Sequence, residues 1–198
     1  MQQGNKRKLR MRPLSVVSFL AMLIFDKTGI GAASLLAAMM HECGHLLAAK
    51  RMGIPLRSLR LDFLGARIEV GERLLSYGEE WLLCASGPLF SLLFSLICLP
   101  LQTVNPFFSM LSVSSFLLGL LNLLPVKSFD GGRMTEVFLC RFFGADFSFS
   151  VMRWLTLAFL FLLWGISVYF LLRAGGGLSL LFFSVSLLSR FLEKEKIN

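Results

Sequence analysis

The feature that most restricts the fold of this chain is a series of apolar blocks, several of them as long as one membrane crossing. A helix rises about 1.5 Å per residue, so about 20 apolar residues cross the hydrocarbon core of a bilayer. Hydrophobic residues make up 56% of the 198 residues, more than a soluble domain of this size can cover with polar surface. We therefore predict an all-α integral membrane protein of about six transmembrane helices, the first and last of them short, at 13–25, 29–49, 80–101, 107–124, 151–172 and 178–191.

The basic residues lie in the gaps between these blocks, in a pattern that indicates topology. With a cytoplasmic amino terminus and six crossings, eighteen of the 20 Lys and Arg residues fall on the cytoplasmic side, and only Lys27 and Arg173 fall outside. Cytoplasmic loops of membrane proteins carry such an excess of positive charge. We expect a multi-pass protein of the cell membrane, in contact with the lipid bilayer, with both termini in the cytoplasm.

Charge and cysteine content argue against other classes of protein. The net charge of +8 does not indicate a nucleic-acid partner, because the basic residues are not gathered on one soluble face. The four cysteines include no Cys-x-x-Cys pair and fall mostly inside apolar blocks, which argues against a disulfide framework or a zinc knuckle. Because no appended soluble domain is indicated, we expect a single membrane domain over residues 1–198.

The longest polar stretch lies between the second and third blocks and contains alternating residues. In segment 59–70, apolar side chains alternate with charged ones on both sides of Gly65. Alternation of this kind is typical of strands, and a glycine between two such runs is typical of a turn. The segment predicts a small membrane-associated β element of two short strands. The alternative is an irregular loop that lies on the lipid headgroups.

The second block ends in the motif His41-Glu42-Cys43-Gly44-His45. Histidines four residues apart lie on one face of a helix, where two imidazoles can bind one Zn²⁺. Glu42 follows the first histidine and can reach a metal-bound water as general base. The chain has only these 2 histidines, and an ionisable residue inside a spanning helix costs roughly 2.5–3.5 kcal/mol. The motif predicts a catalytic zinc site; a polar cluster bonded to a neighbouring helix is the alternative.

A catalytic zinc site needs a third protein ligand, and the end of the fourth block offers one. In segment 122–133, Pro125 breaks the helix and a glycine pair after Asp130 frees the backbone. This places Asp130 on irregular backbone at the cytoplasmic end of a crossing, the end at which His41 also lies. We predict Asp130 as the third ligand, with a turn or capping aspartate as the alternative. A different class of membrane zincin would use Glu136 instead.

Asn122 is a further polar residue inside the fourth block, eight residues before Asp130. Its amide can donate to a developing oxyanion or hold the backbone of a substrate. The alternative is an interhelical hydrogen bond, worth on the order of 1 kcal/mol. The residues alone leave both roles open.

Two motifs, HECGH in one block and NLLPVKSFDGGR in a later one, together resemble the site-2 protease family of intramembrane metalloproteases, peptidase family M50. The nearest branch is that of stage IV sporulation protein FB. The segment 87–91, Gly-Pro-Leu-Phe-Ser, resembles the family's Gly-Pro-x-x-Asn element, with Ser91 where an asparagine is usual. The resemblance implies a three-helix catalytic core within about 29–133 and neither a PDZ nor a CBS domain.

The same resemblance implies a ligand set and a reaction. One zinc ion per chain would be held by His41, His45 and Asp130, while Glu42 activates water and Asn122 assists catalysis or substrate binding. The substrate would be a transmembrane or membrane-tethered regulatory protein, such as an anti-sigma or pro-sigma factor, paired with the β element as an unwound strand. A regulatory membrane partner would supply any gating. A catalytically inactive member that acts as a membrane scaffold or chaperone is the alternative function.

Overall fold

The computed structural model divides the chain into two compact units, Met1–Asn122 and Leu123–Asn198. It describes residues 8–11, 26, 28–54, 56–62, 65–70, 74–174, 184–186 and 188–189. Its main elements, in chain order, are β1 (Lys8–Met11), α1 (Ile30–Arg51), β2 (Leu56–Asp62), β3 (Gly65–Val70), α2 (Tyr77–Leu101), α3 (Phe107–Asn122), α4 (Asp130–Phe143) and α5 (Ala145–Ala174). The crossing predicted at 13–25 lies outside the described residues, and so does most of the one predicted at 178–191.

The four central apolar blocks are helices. Among the described residues, Ile30–Arg51, Tyr77–Leu101 and Ala145–Arg173 are long and apolar enough to cross a membrane, and Phe107–Asn122 is apolar but shorter. The protein is therefore a membrane protein, as the composition predicts. The count of six crossings stays a prediction. Helix α3 ends at Asn122, two residues before the end predicted for the fourth block.

Helix α1, which carries both histidines, begins at a cap supplied by Asp26. One carboxylate oxygen accepts hydrogen bonds from Gly29 N at 2.9 Å and from the amide and hydroxyl of Thr28, and the other accepts from Ala32 N at 3.0 Å. These donors, Ala32 N foremost and the Thr28 hydroxyl next, hold the pKa of Asp26 below its ordinary value. Asp26 thereby satisfies the amides of Gly29 and Ala32, which have no partner within the helix at its start.

Helices α1, α2 and α3 pack closely because the surfaces between them carry small residues. A Cβ atom on Gly44 would lie 2.6 Å from Phe90 Cβ and 2.7 Å from Ser86 O, so this glycine lets the backbones of α1 and α2 approach. Between α2 and α3, Ser95 Oγ donates to Ser112 O and Ser112 Oγ donates to Ser95 O. The buried apolar cluster of this unit consists of Ala33, Ala37, Cys98 and Leu111.

The first unit also contains a three-stranded sheet of order β1-β2-β3. Strands β2 and β3 are antiparallel, with Asp62 paired to Gly65 next to the turn, and they occupy the segment in which the alternation predicts two strands. Strand β2 begins at Leu56, three residues before the predicted start. Strand β1 pairs with β2 in parallel. It was not predicted, because its basic residues were interpreted only as a topology signal. Association of the sheet with a membrane stays a prediction.

In the second unit, the prediction that Asp130 lies on irregular backbone is wrong. Asp130 is the first residue of α4, and Gly131 and Gly132 are helical. A Cβ atom on Gly131 would collide with Leu123 O, and one on Gly132 would collide with Val126 O. The two glycines therefore allow the preceding turn to approach α4 closely. They are not needed here for unusual backbone angles.

Candidate metal centre

The two histidines of α1 lie one turn apart on its buried face. His41 is 5% exposed and His45 is 8% exposed. Their Nε2 atoms are 3.3 Å apart. Two nitrogen ligands in a tetrahedral zinc site, each roughly 2.0–2.1 Å from the ion, lie about 3.3 Å from each other. The pair thus has the separation that a shared zinc ion requires.

Helix α2 binds the opposite nitrogen of each ring. His45 Nδ1 lies 2.8 Å from Leu83 O, and His41 Nδ1 lies 2.9 Å from Ser91 Oγ. A carbonyl oxygen only accepts hydrogen bonds, so a neutral His45 ring carries its proton on Nδ1 and keeps the lone pair on Nε2. Partners of this kind orient a metal-binding histidine and set its tautomer. The sequence carried no signal for the Leu83 carbonyl, since any residue supplies one.

Gly87 of α2 makes room for the two metal-facing nitrogens. A Cβ atom at this position would collide with His45 Nε2 and would lie 2.8 Å from His41 Nε2. The α2 backbone therefore passes directly against the imidazoles, which no residue with a side chain would permit. The motif containing Gly87 was noted in the sequence, but this steric role was not predicted.

The predicted third ligand, Asp130, is the first residue of α4 and belongs to the second unit. Its role as a ligand beside His41 and His45, in preference to Glu136, stays a prediction. Two imidazole nitrogens and a carboxylate oxygen are donors of the kind found in catalytic zinc sites, so these residues fit the metal. Glu42, adjacent to His41 on α1, is half-buried.

Asn122, the last residue of α3, is half-buried. Its amide donates to Leu118 O at 3.0 Å, one turn earlier in the same helix. This bond lies within α3, so it is not the interhelical hydrogen bond that was the alternative role for Asn122. A role of Asn122 in catalysis stays a prediction.

Known proteins are similar to this chain in sequence and in fold. Residues 100–166, which contain the second motif, match the model of Peptidase family M50. Over 142 residues the chain is 30% identical to the protein described as zinc metalloprotease Rip3 of Mycobacterium tuberculosis, in strains Erdman and H37Rv. That alignment covers 66% of this chain and 36% of the relative, so the chain spans little more than a third of the length of the curated relatives it matches.

A solved structure has a similar fold. It is the Site-2 Protease from Methanocaldococcus jannaschii, which superimposes with a TM-score of 0.69 over 94% of this chain and 90% of that chain, at 18% identity. None of these matches tests the nearer resemblance to stage IV sporulation protein FB, which stays a prediction. The motifs, the family model and the curated relatives all point to peptidase family M50, and the fold agrees with it.

Proposed function

We propose that this chain is an intramembrane zinc metalloprotease, which hydrolyses peptide bonds of membrane-embedded or membrane-associated proteins. One observation carries the proposal: two buried imidazoles, His41 and His45, hold their Nε2 atoms 3.3 Å apart in a spanning helix, with Glu42 beside the first. Buried polar groups of this kind are rare in spanning helices unless they serve a function.

Each predicted site residue has a role in this reaction. His41, His45 and Asp130 would hold one Zn²⁺, which when bound supplies a Lewis acid that acidifies water and polarises the scissile carbonyl. Glu42 accepts the proton of the attacking water and passes it to the leaving amine. Asn122 donates an amide hydrogen to the carbonyl oxygen as negative charge develops there.

The substrate enters from the membrane. The chain crosses six times with both termini in the cytoplasm, and the ligands lie near the cytoplasmic side, from which water reaches them. A closed substrate helix hides its carbonyls, so the substrate unwinds and adds as a strand to the sheet. Strand β3 supports this step, because among the described strands it pairs with β2 alone in the order β1-β2-β3. Suitable substrates are membrane-tethered regulatory proteins such as anti-sigma or pro-sigma factors, with a regulatory membrane partner as gate.

The experiment that tests this function is metal analysis together with a cleavage assay on candidate membrane substrates. The wild-type chain and Glu42→Gln should each contain about one zinc per chain. Cleavage should be lost only in Glu42→Gln, by about 10²–10⁴-fold, because a positioned base is removed while the ligands remain. Cleavage that persists in Glu42→Gln, or a wild-type chain without zinc, would contradict the proposal.

Two further variants separate the possible third ligands. Asp130→Asn should lower the zinc content, since the carboxylate would no longer be available as an anionic ligand. Glu136→Gln makes the same chemical change six residues later and should leave the zinc content unchanged. The reverse result would assign the third ligand to Glu136.

A further inference from the structure

We propose that Ser91 is the positioning residue for the metal ligand His41, an inference that rests on the proposed function. Ser91 Oγ lies 2.9 Å from His41 Nδ1, on the side of the ring opposite the metal-facing nitrogen. The serine is completely buried in α2. Within the described part of the chain, its hydroxyl makes a side-chain hydrogen bond to this ring and to no other side chain.

The chemistry of the imidazole makes this contact directional. A neutral imidazole has one N–H, and a metal takes the lone pair of the nitrogen that lacks it. When His41 binds through Nε2, its proton is on Nδ1, and Ser91 Oγ accepts it. The hydroxyl of Ser91 stabilises this tautomer and this ring orientation, which present Nε2 to the metal, and its loss removes that stabilisation.

The two histidines differ in the kind of partner that orients them. His45 Nδ1 faces Leu83 O at 2.8 Å, with Ser86 Oγ also near at 3.4 Å. A backbone carbonyl is present whatever the side chain, so substitution cannot remove it. His41 Nδ1 instead faces the side-chain hydroxyl of Ser91. One substitution can therefore remove this contact of the first ligand and leave the backbone contact of the second in place.

A second serine of α2 provides a matched control. Ser95 lies one turn after Ser91 and is 6% exposed, so both are buried serines of the same helix. Ser95 Oγ instead lies 3.1 Å from Ser112 Oγ and donates to Ser112 O at 2.8 Å. It joins α2 to α3 through the helix-packing surface. Loss of its hydroxyl tests helix packing without removing a partner of either histidine.

The test measures metal affinity rather than turnover. Wild type, Ser91→Ala and Ser95→Ala would be purified in detergent and titrated with zinc against a chelator, and the visible spectrum of bound Co²⁺ would be recorded. Loss of an outer partner of a metal-binding histidine typically weakens metal affinity 10–100-fold. We expect that loss and an altered Co²⁺ spectrum in Ser91→Ala. Ser95→Ala should keep wild-type affinity and spectrum even where its melting temperature falls.

A pair of variants of equal shape isolates the hydroxyl from packing. Ser91→Thr and Ser91→Val fill the same volume, but only threonine keeps the acceptor. Threonine should bind zinc at least 10-fold more tightly than valine. Equal affinity of the two, or weakening as large in Ser95→Ala as in Ser91→Ala, would overturn the role of Ser91. A wild-type chain that binds no zinc would instead contradict the proposed function.

Discussion

At Gly87 of α2, the space that the two imidazoles need outweighs the preference of a helix for a residue other than glycine. Alanine is the better helix former by about 1 kcal/mol, so propensity alone predicts that Gly87→Ala stabilises α2. The site predicts the opposite, because the new Cβ would collide with His45 Nε2. Glycine is therefore kept at this position for the space it leaves.

The change Gly87→Ala should weaken zinc binding by at least about 10-fold, because both metal-facing nitrogens must move away from the new methyl group. Zinc titration against a chelator measures this, and circular dichroism reports whether the helices remain. Gly165→Ala is the control, since a Cβ atom at this position of α5 meets nothing within 4 Å. Full zinc affinity in Gly87→Ala would show that the rings do not face this glycine.

At the level of elements, the start of α1 depends on one carboxylate, that of Asp26. Asp26 accepts hydrogen bonds from Thr28, Gly29 and Ala32, and these bonds exist only with a charged or strongly accepting group at position 26. Its pKa in the folded chain is lowered from the ordinary value of 3.8. A lowered pKa contributes stability that is present above pH 3.8 and is lost as the pH falls through the folded-state pKa.

We therefore expect the wild-type chain to lose part of its thermal stability on acidification below pH 3.8, and Asp26→Asn to lose less over the same range. Asparagine cannot be protonated there, so its weaker cap does not change with pH. Thermal melts of both chains between pH 6 and pH 3, in a detergent without titratable groups, measure the difference. Asp146→Asn makes the same charge change in the first turn of α5 and serves as control. Parallel pH profiles of wild type and Asp26→Asn would refute the capping role.

At the level of the whole molecule, the metal and the fold are linked. A ligand that binds only the folded chain stabilises it by mass action, by about 4 kcal/mol when its concentration is 1,000 times its dissociation constant. His41 and His45 are buried in the folded chain, and an unfolded chain does not hold their Nε2 atoms 3.3 Å apart. Zinc should therefore stabilise the protein and not only activate it.

Removal of zinc with a chelator should lower the melting temperature of the wild-type chain, and added zinc should restore it. The variant with both His41→Ala and His45→Ala should melt at the same temperature with and without chelator, because it lacks two of the three proposed ligands. Differential scanning fluorimetry in detergent measures both. A chelator effect of equal size in the double variant would mean that zinc acts elsewhere in the molecule.

The amino-acid sequence by itself determined the features that depend on short-range periodicity and on the solvent. A bilayer offers no water to satisfy backbone groups, so apolar stretches must be helical. The helices of the four central apolar blocks could therefore be predicted from hydropathy. His41 and His45 share a face of α1 because helical geometry brings residues four apart together. The alternation in 59–70 likewise predicts β2 and β3, because side chains of a strand point to opposite faces.

The tertiary structure decided what depends on distant segments. Helix α4 was not predicted, because glycine disfavours helices. The carbonyls of Leu123 and Val126 approach this helix so closely that a side chain at Gly131 or Gly132 would collide with them. Strand β1 exists because β2 offers an edge to it. The acceptors on α2 for the two imidazoles follow from how α1 and α2 pack. Local periodicity specifies which face of an element is buried, whereas the partner of each side chain depends on packing between elements.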